Sequence, residues 1–378
     1  MILINKLFYN DNGYLVFKYW GKMKIIFLPW VDLENEVQLG DFIFWKYWDK
    51  RNEIITDNVI LQQCDNLFSR FKSTVEYENP LNIIVISVYE DSKIKFVIPL
   101  NYYSKLRKAI NALTFIFLSR LYRDNKDVNL HINVDAFQVM EVDMYPDGYS
   151  IIEGRITDFN PWEHKKNYFK SGHIQAAKDI YPEPDLFKAF TKGLNSVKNR
   201  KEFNRILKAI EVFNFSYSHS PLVYIPSKIV LVSTAFEILL KIPNISAKKK
   251  ILAEEVGSLL GKDKGERSFS RNKDKETRNM GKLLQKQWWL YDFYDLRNSI
   301  VHGDNIRWSR FYKRKRKDIK SSIRRSKSIS HLDIAGKYFR RCVIKRMEDL
   351  GFYKDMWEEA KEEVAKVIDK LNKSKKLK

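Results

Sequence analysis

The sequence predicts a multidomain α+β chain: a β-rich α+β first half with one main helix, then an all-helical second half. Three observations predict it. Segments rich in Ile, Val, Phe, Tyr and Trp recur between turn signals in the first half. From residue 185 onward, apolar residues fall at helical spacing in seven successive segments. Between the two, a loop region at 158–184 ends in Tyr181-Pro182-Glu183-Pro184, and two prolines so close break any helix there. A chain of 378 residues also exceeds a typical single domain, and it divides naturally into 1–180 and 185–378.

Taken in order, strands are expected at 13–20, 22–29, 41–48 and 82–89, with Asp11-Asn12-Gly13 and Glu90-Asp91-Ser92 as turns and a strand at 93–99 after the second. One strong helix interrupts them at 102–123, where Leu106, Ile110, Leu113, Phe117 and Leu121 share a face. Alternation returns at 128–144 and 150–157. Trp45, Tyr47 and Trp48 receive no role, because aromatics in strands are core residues far more often than base-stacking platforms. The second half opens with Asp185 as an N-cap. Its expected helices are 185–196, 199–214, 222–242, 246–260, 277–302, 331–349 and 353–372.

Composition narrows the class. Hydrophobic residues at 44% and aromatics at 14% exclude wholesale disorder. Two distant cysteines, Cys64 and Cys342, exclude a disulfide framework or a Cys-rich zinc module and suit a reducing cytosol. No signal peptide or membrane-length apolar run is read, so a soluble, cytoplasmic protein without membrane contact is expected. Net charge is +21, and its distribution carries the information. Residues 1–180 hold 22 basic and 23 acidic side chains, whereas 181–378 hold 46 and 24. Excess positive charge confined to one half points to a polyanionic partner for that half, and nucleic acid is the usual one.

Two basic segments break the helical pattern. Residues 262–282 carry 8 basic and 4 acidic side chains; residues 304–330 carry 11 and 2, with Trp308, Phe311 and Tyr312 interleaved. In the second segment Arg307, Trp308, Arg310, Lys313, Arg314, Lys315, Arg316 and Lys317 are the candidate RNA-binding residues. Lys and Arg attract phosphate, and aromatics stack on unpaired bases. A solvated insertion is the competing reading.

Chemistry concentrates at 291–304, Tyr-Asp-Phe-Tyr-Asp-Leu-Arg-Asn-Ser-Ile-Val-His-Gly-Asp. A helix carries Arg297 and Asn298 in its last turns, reaches His302 and stops at Gly303. Five residues place Arg297 and His302 roughly 140° apart, flanking a groove. His302 lies at the negative end of the helix dipole, which favours its protonated form. A guanidinium, an amide and a titratable imidazole suit a phosphodiester, because Arg neutralises phosphate oxygens and His moves a proton near neutral pH. Glu237 sits within an apolar helical run, so it needs a partner when buried, and Arg297 is the natural one.

Arg297-Asn298-x-x-x-His302-Gly303, preceded by Ser233-Thr234-Ala235-Phe236-Glu237-Ile238-Leu239-Leu240, resembles the HEPN superfamily, and most closely its Apea-like branch. The later stretch Ile334-Ala335-Gly336-Lys337-Tyr338-Phe339-Arg340 is similar to the helix that follows the motif in that branch. The resemblance covers 185–372 and is silent on 1–180. It implies a helical bundle that pairs as a homodimer, bringing two Arg-x4–6-His motifs into one cleft. It also implies a metal-independent endoribonuclease, without cofactor, of the kind that serves as a toxin or antiviral effector. Arg297, Asn298 and His302 become catalytic and Glu237 supporting. Non-catalytic members that dimerise or bind RNA or protein also exist. The basic block 304–330 departs from the family, since it falls directly after the motif where many relatives are shorter.

On this reading 185–378 is the nuclease domain. Residues 1–180 form a specificity or sensor domain, where a regulatory protein or a phage-derived trigger would act. Trp288-Trp289-Leu290-x-x-Phe293 is the expected apolar dimer surface. His131, His164, His173, His219 and His331 show no metal-ligand spacing. Pro146-Asp147 with Glu153-Gly154-Arg155 faintly echoes a metal-dependent nuclease, but Arg stands where Lys is expected. Gly261-Lys262 and Gly281-Lys282 lack the rest of a phosphate-binding loop.

Overall fold

A computed structural model describes residues 7–9, 15–17, 23–72, 83–90, 93–95, 98, 100–123, 134–145, 148–153, 169–170, 177–180, 183–218, 224–245, 247–263, 265–271, 278, 281–313 and 329–354. The chain is mixed α and β, strand-rich towards its start and mostly helical towards its end. It separates into two compact units, Met1–Ile110 with His131–Pro182, and Asn111–Leu130 with Glu183–Lys378.

The first unit is built on a sheet whose described strands run Gly148–Glu153, Met140–Tyr145, Met23–Leu28, Ile84–Glu90, Phe42–Lys46 and Val37–Leu39, all neighbours antiparallel. Lys93–Lys95 pairs with Ile84–Glu90 as a short addition. The central strands read as apolar runs because both faces are covered: Ile25 to Leu28 and Ile83 to Ile86 are wholly buried.

The strand expected at 41–48 ends at Lys46, and helix α1 (Tyr47–Ile54) begins at once. Helix α2 (Asn58–Phe68) follows, with the Asp57 carboxylate accepting from the Val59 and Ile60 N–H groups at 2.9 and 3.2 Å. Trp45 and Tyr47 are fully buried, and the Tyr47 hydroxyl donates to Asp65 at 2.7 Å. Arg51 covers Trp48 at 4.7 Å. These aromatics are framework.

Helix α3 (Tyr103–Arg123) matches the expected main helix, but it serves both units. From Asn111 onward it joins the helical unit, where the Phe115 ring lies 6.0–6.1 Å from Phe190, Phe213 and Phe339. The division at 1–180 and 185–378 assigns the whole helix to the first half, whereas the units divide it after Ile110. Its second half is instead apolar nearly all round, with Ala112, Leu113, Phe115, Ile116 and Leu118 buried, as a bundle-core helix must be.

The second unit continues with α4 (Pro184–Asn195), α5 (Arg200–Ser216), α6 (Ile225–Leu240), α7 (Lys248–Leu260), α8 (Gln285–Val301) and α9 (His331–Asp349). Among these, α5 packs on α6, α7 on α8, and α6 on both α8 and α9. Phe213 stacks on Phe339 at 4.3 Å and Phe236 meets the same ring edge-on at 5.3 Å. The helix expected from 277 starts at Gln285, after the strand pair Ser268–Phe269 and Leu283–Leu284, and the Leu284 N–H donates to the Gln287 side chain at 2.8 Å. Most of the expected helix 353–372 lies outside the described residues.

One contact in this bundle sets a sharp test. A Cβ at Gly193 would stand 2.2 Å from the Phe203 ring, which is buried at 2% exposure. Gly193→Ala should therefore cost about 1–3 kcal/mol in denaturant unfolding. At Gly257 the obstacle is the flexible Gln287 amide, 2.0 Å away, so Gly257→Ala should cost less. Equal midpoints for Gly193→Ala and the parent would contradict the packing.

Candidate functional site

Helix α8 is the axis of the site. Its first three turns are anchored on several sides: Trp288, Trp289, Leu290, Phe293 and Leu296 are at most 2% exposed. The Trp289 indole donates to His331 Nδ1 at 3.0 Å and the Trp288 indole to the Phe269 carbonyl at 2.7 Å. The apolar dimer surface expected at Trp288-Trp289-Leu290-x-x-Phe293 is therefore internal to one chain. A helix apolar around most of its circumference is a central helix.

Burial lapses at the end of α8, and the motif sits there. Arg297 to Ile300 are half-buried, and Val301 to Gly303 are exposed. The His302 N–H closes on the Asn298 carbonyl at 2.9 Å, and Gly303 turns left-handed with φ +75°. The Asp304 N–H then reaches back to the Ser299 carbonyl at 2.9 Å. Only glycine adopts that φ cheaply, so the Gly after the His fixes where the helix stops and leaves the imidazole at its carbonyl end.

Arg297 turns towards α6. Its Nη1 donates to Asn298 Oδ1 at 3.2 Å, its guanidinium covers the Tyr294 ring at 5.2 Å, and its Nη2 stands 3.9 Å from Glu237 Oε1. The expected Arg297–Glu237 pairing is thus loose. Glu237 accepts closer bonds from the Tyr294 hydroxyl at 2.8 Å and from Lys248 Nζ at 3.1 Å. Burial, reinforced by the hydrogen bond to Glu237, pushes the Tyr294 phenol far above its ordinary value, so it stays a proton donor to that carboxylate.

Sequence reasoning missed Tyr294 and Lys248. Tyr294 lies one turn before Arg297, a spacing that should have flagged it. Lys248 hides in the run Lys248-Lys249-Lys250, which reads as a solvated face. The structure brings Arg297, Asn298 and Glu237 together; His302 projects from another side of the helix, roughly 140° away from Arg297.

The described parts of the basic segments make specific contacts. Around 262–271 the chain folds back on α8: Asp263 and Glu266 take the buried Lys286 at 2.9 and 2.8 Å, and Arg271 holds Asp292 through both oxygens at 2.8 and 2.7 Å. After the motif, a 3-10 turn at Trp308–Phe311 leads into Tyr312–Lys313, which pairs antiparallel with Ile329–Ser330. Arg307 and Arg310 are exposed, while Arg314, Lys315, Arg316 and Lys317 lie outside the described residues.

Among the described residues, no group of three or more His, Cys, Asp or Glu side chains could hold a metal ion, and no helix is long and apolar enough to cross a membrane. Of the faint nuclease echo, Glu153 ends a sheet strand, and Pro146, Asp147, Gly154 and Arg155 lie outside the described residues. No family model, no curated protein and no solved structure matches the chain.

Proposed function

We propose that the helical second unit is a HEPN-type endoribonuclease domain that cleaves RNA without a metal, acting as a toxin or anti-phage effector. The observation that carries the reading is the end of α8. There Arg297, Asn298 and an exposed His302 gather on one helix terminus, with Glu237 of α6 beside the arginine. In the proposed reaction the ribose 2′-hydroxyl attacks the adjacent phosphate, leaving a cyclic phosphate and a 5′-hydroxyl. His302 handles the proton, Arg297 stabilises the charge of the phosphorane, and Asn298 positions the phosphate.

A homodimer through the helical unit supplies the second motif. The first unit selects the target or senses a protein or phage-derived trigger. The surplus of 46 basic over 24 acidic side chains in 181–378 supports RNA as the partner.

A second reading is a non-catalytic HEPN module that dimerises and binds RNA or protein. It is favoured by the inward contacts of Arg297, which turn the guanidinium towards Asn298 and the Tyr294 ring within one chain.

Incubating the full-length protein with total RNA and EDTA separates the two. Fragments with cyclic or 3′ phosphates, and resistance of an RNA carrying a 2′-deoxy nucleotide at the cut site, are expected. RNA binding with no cutting under any condition favours the second reading, and cutting only with added divalent metal refutes the proposed mechanism. Light scattering with RNA present should show a dimer.

A further inference from the structure

Asp292, Asp295, Ser299 and His302 recur three or four residues apart, so they run down one side of α8. The basic groups that meet this stripe come from outside the helix. Arg271 grips Asp292 through both carboxylate oxygens, stacks on Trp288 at 4.8 Å and is 19% exposed. Lys249 stands 3.6 Å from Asp295 and covers the Tyr291 ring at 4.5 Å, also 19% exposed. Both are committed to the framework.

Arg310 is held differently. Its Nη1 makes a long hydrogen bond, 3.4 Å, to the neutral Ser299 hydroxyl, and its Nη2 stands 3.7 Å from Asp295, beyond hydrogen-bond reach. Arg310 is 45% and Asp295 50% exposed, and a solvated pair at that separation contributes little. The guanidinium fork therefore keeps donors for a stronger acceptor, and a phosphate accepting two parallel bonds is one.

The backbone beneath Arg310 is nevertheless fixed. It lies in the 3-10 turn at Trp308–Phe311, whose Phe311 is 4% exposed, and the strand pair Tyr312–Lys313 with Ile329–Ser330 follows directly. Ser299 is one helical turn before His302, so the fork rests one turn from the imidazole on the same side of α8. Arg297 faces α6 instead.

We propose that Arg310 is the phosphate-binding residue of the His302 face: RNA draws its guanidinium off Asp295, and the fork then holds a backbone phosphate of the bound strand, so that the strand is guided past the imidazole. Asp295 is its resting partner and the competitor that RNA must displace. This rests on the ribonuclease reading for the class of ligand.

The test uses the full-length protein and a short, unstructured, fluorescently labelled RNA carrying 2′-O-methyl groups throughout, which binds without being cut. Arg310→Gln should weaken binding about tenfold and reduce the slope of log affinity against log salt by about one, and Arg310→Lys should restore that slope. Asp295→Asn should tighten binding about threefold in the parent and clearly less in the Arg310→Gln background, because most of its effect comes from freeing that side chain.

An unchanged salt slope in Arg310→Gln, or an equal gain from Asp295→Asn in both backgrounds, overturns the proposal. If the parent shows these dependences yet does not cut the matching 2′-hydroxyl RNA, the ribonuclease reading falls alone. If the parent cuts that RNA but Arg310→Gln leaves the slope unchanged, this proposal falls alone. A parent that fails to bind the RNA at low salt overturns both.

Discussion

His302→Ala should lower RNA cleavage by about 10²–10⁴-fold, the range a positioned proton-transfer group supplies. The substitution isolates chemistry from folding. His302 is exposed at the helix terminus, its side chain makes no hydrogen bond among the described residues, and the helix stop uses its backbone N–H and Gly303. The melting curve and the dimer should therefore match the parent while fragments disappear from the gel. Arg297→Ala should also abolish cleavage, but less cleanly: it uncovers the Tyr294 ring and removes a cation from beside Glu237. Asn298→Ala should weaken cleavage less, because the carbonyl that receives the His302 N–H belongs to its backbone and survives. A His302→Ala protein as active as the parent would sink the mechanism outright.

The helical unit was legible where apolar periodicity met a stop signal. Gly303 ends α8 where the sequence placed its end, and α9 begins at His331 as expected, with the Ser330 hydroxyl accepting from the Leu332 and Asp333 N–H groups. Legibility failed where burial is complete or charge is internal. Trp288-Trp289-Leu290-x-x-Phe293 looked like a surface because apolar residues over most of a helix's circumference do not say whether they meet their own chain or a second copy. Net charge over 262–282 concealed the partners Asp263 and Glu266 find in Lys286 and Arg341, since counting sign says nothing about pairing.

In the first unit, the strand Phe42–Lys46 runs into Tyr47 and Trp48 without any change of residue type, so the switch to α1 has no local mark. Helix α2 did have one. Asp57 caps it, and an Asp just before an apolar-periodic run is a local mark of a helix start. At the site, Arg297, Asn298 and His302 were legible because they share one short segment. Their different directions were readable from helical geometry alone, whereas the Lys248 and Tyr294 claims on Glu237 required the packing of α6 against α7 and α8.

Removing the acids around Lys286 should produce the largest loss of stability in the helical unit. Lys286 is wholly buried, with Nζ 2.9 Å from Asp263 and 2.8 Å from Glu266, and Arg341 closes on Asp263 at 2.6 Å. Asp263→Asn combined with Glu266→Gln strands that ammonium, which should cost about 3–5 kcal/mol in denaturant unfolding at neutral pH. Acid should do the same to the parent. The Arg341 guanidinium, helped by Lys286, holds the Asp263 carboxyl down at about 2 against 3.8 unfolded. Burial pushes Glu266 up, but hydrogen bonds to Lys286 and two backbone N–H groups outweigh it and leave its pKa below the ordinary 4.5. Both folded values are depressed, so this contribution is complete above the unfolded values and is lost as pH falls from about 4.5 towards 2. The parent's midpoint should drop across that window, and the double variant's, already low, should drop less. Adding Lys286→Met should recover most of the neutral-pH loss, because the cost lies in the stranded charge rather than in the missing attraction. A double variant as stable as the parent at neutral pH would mean that the ammonium finds water instead.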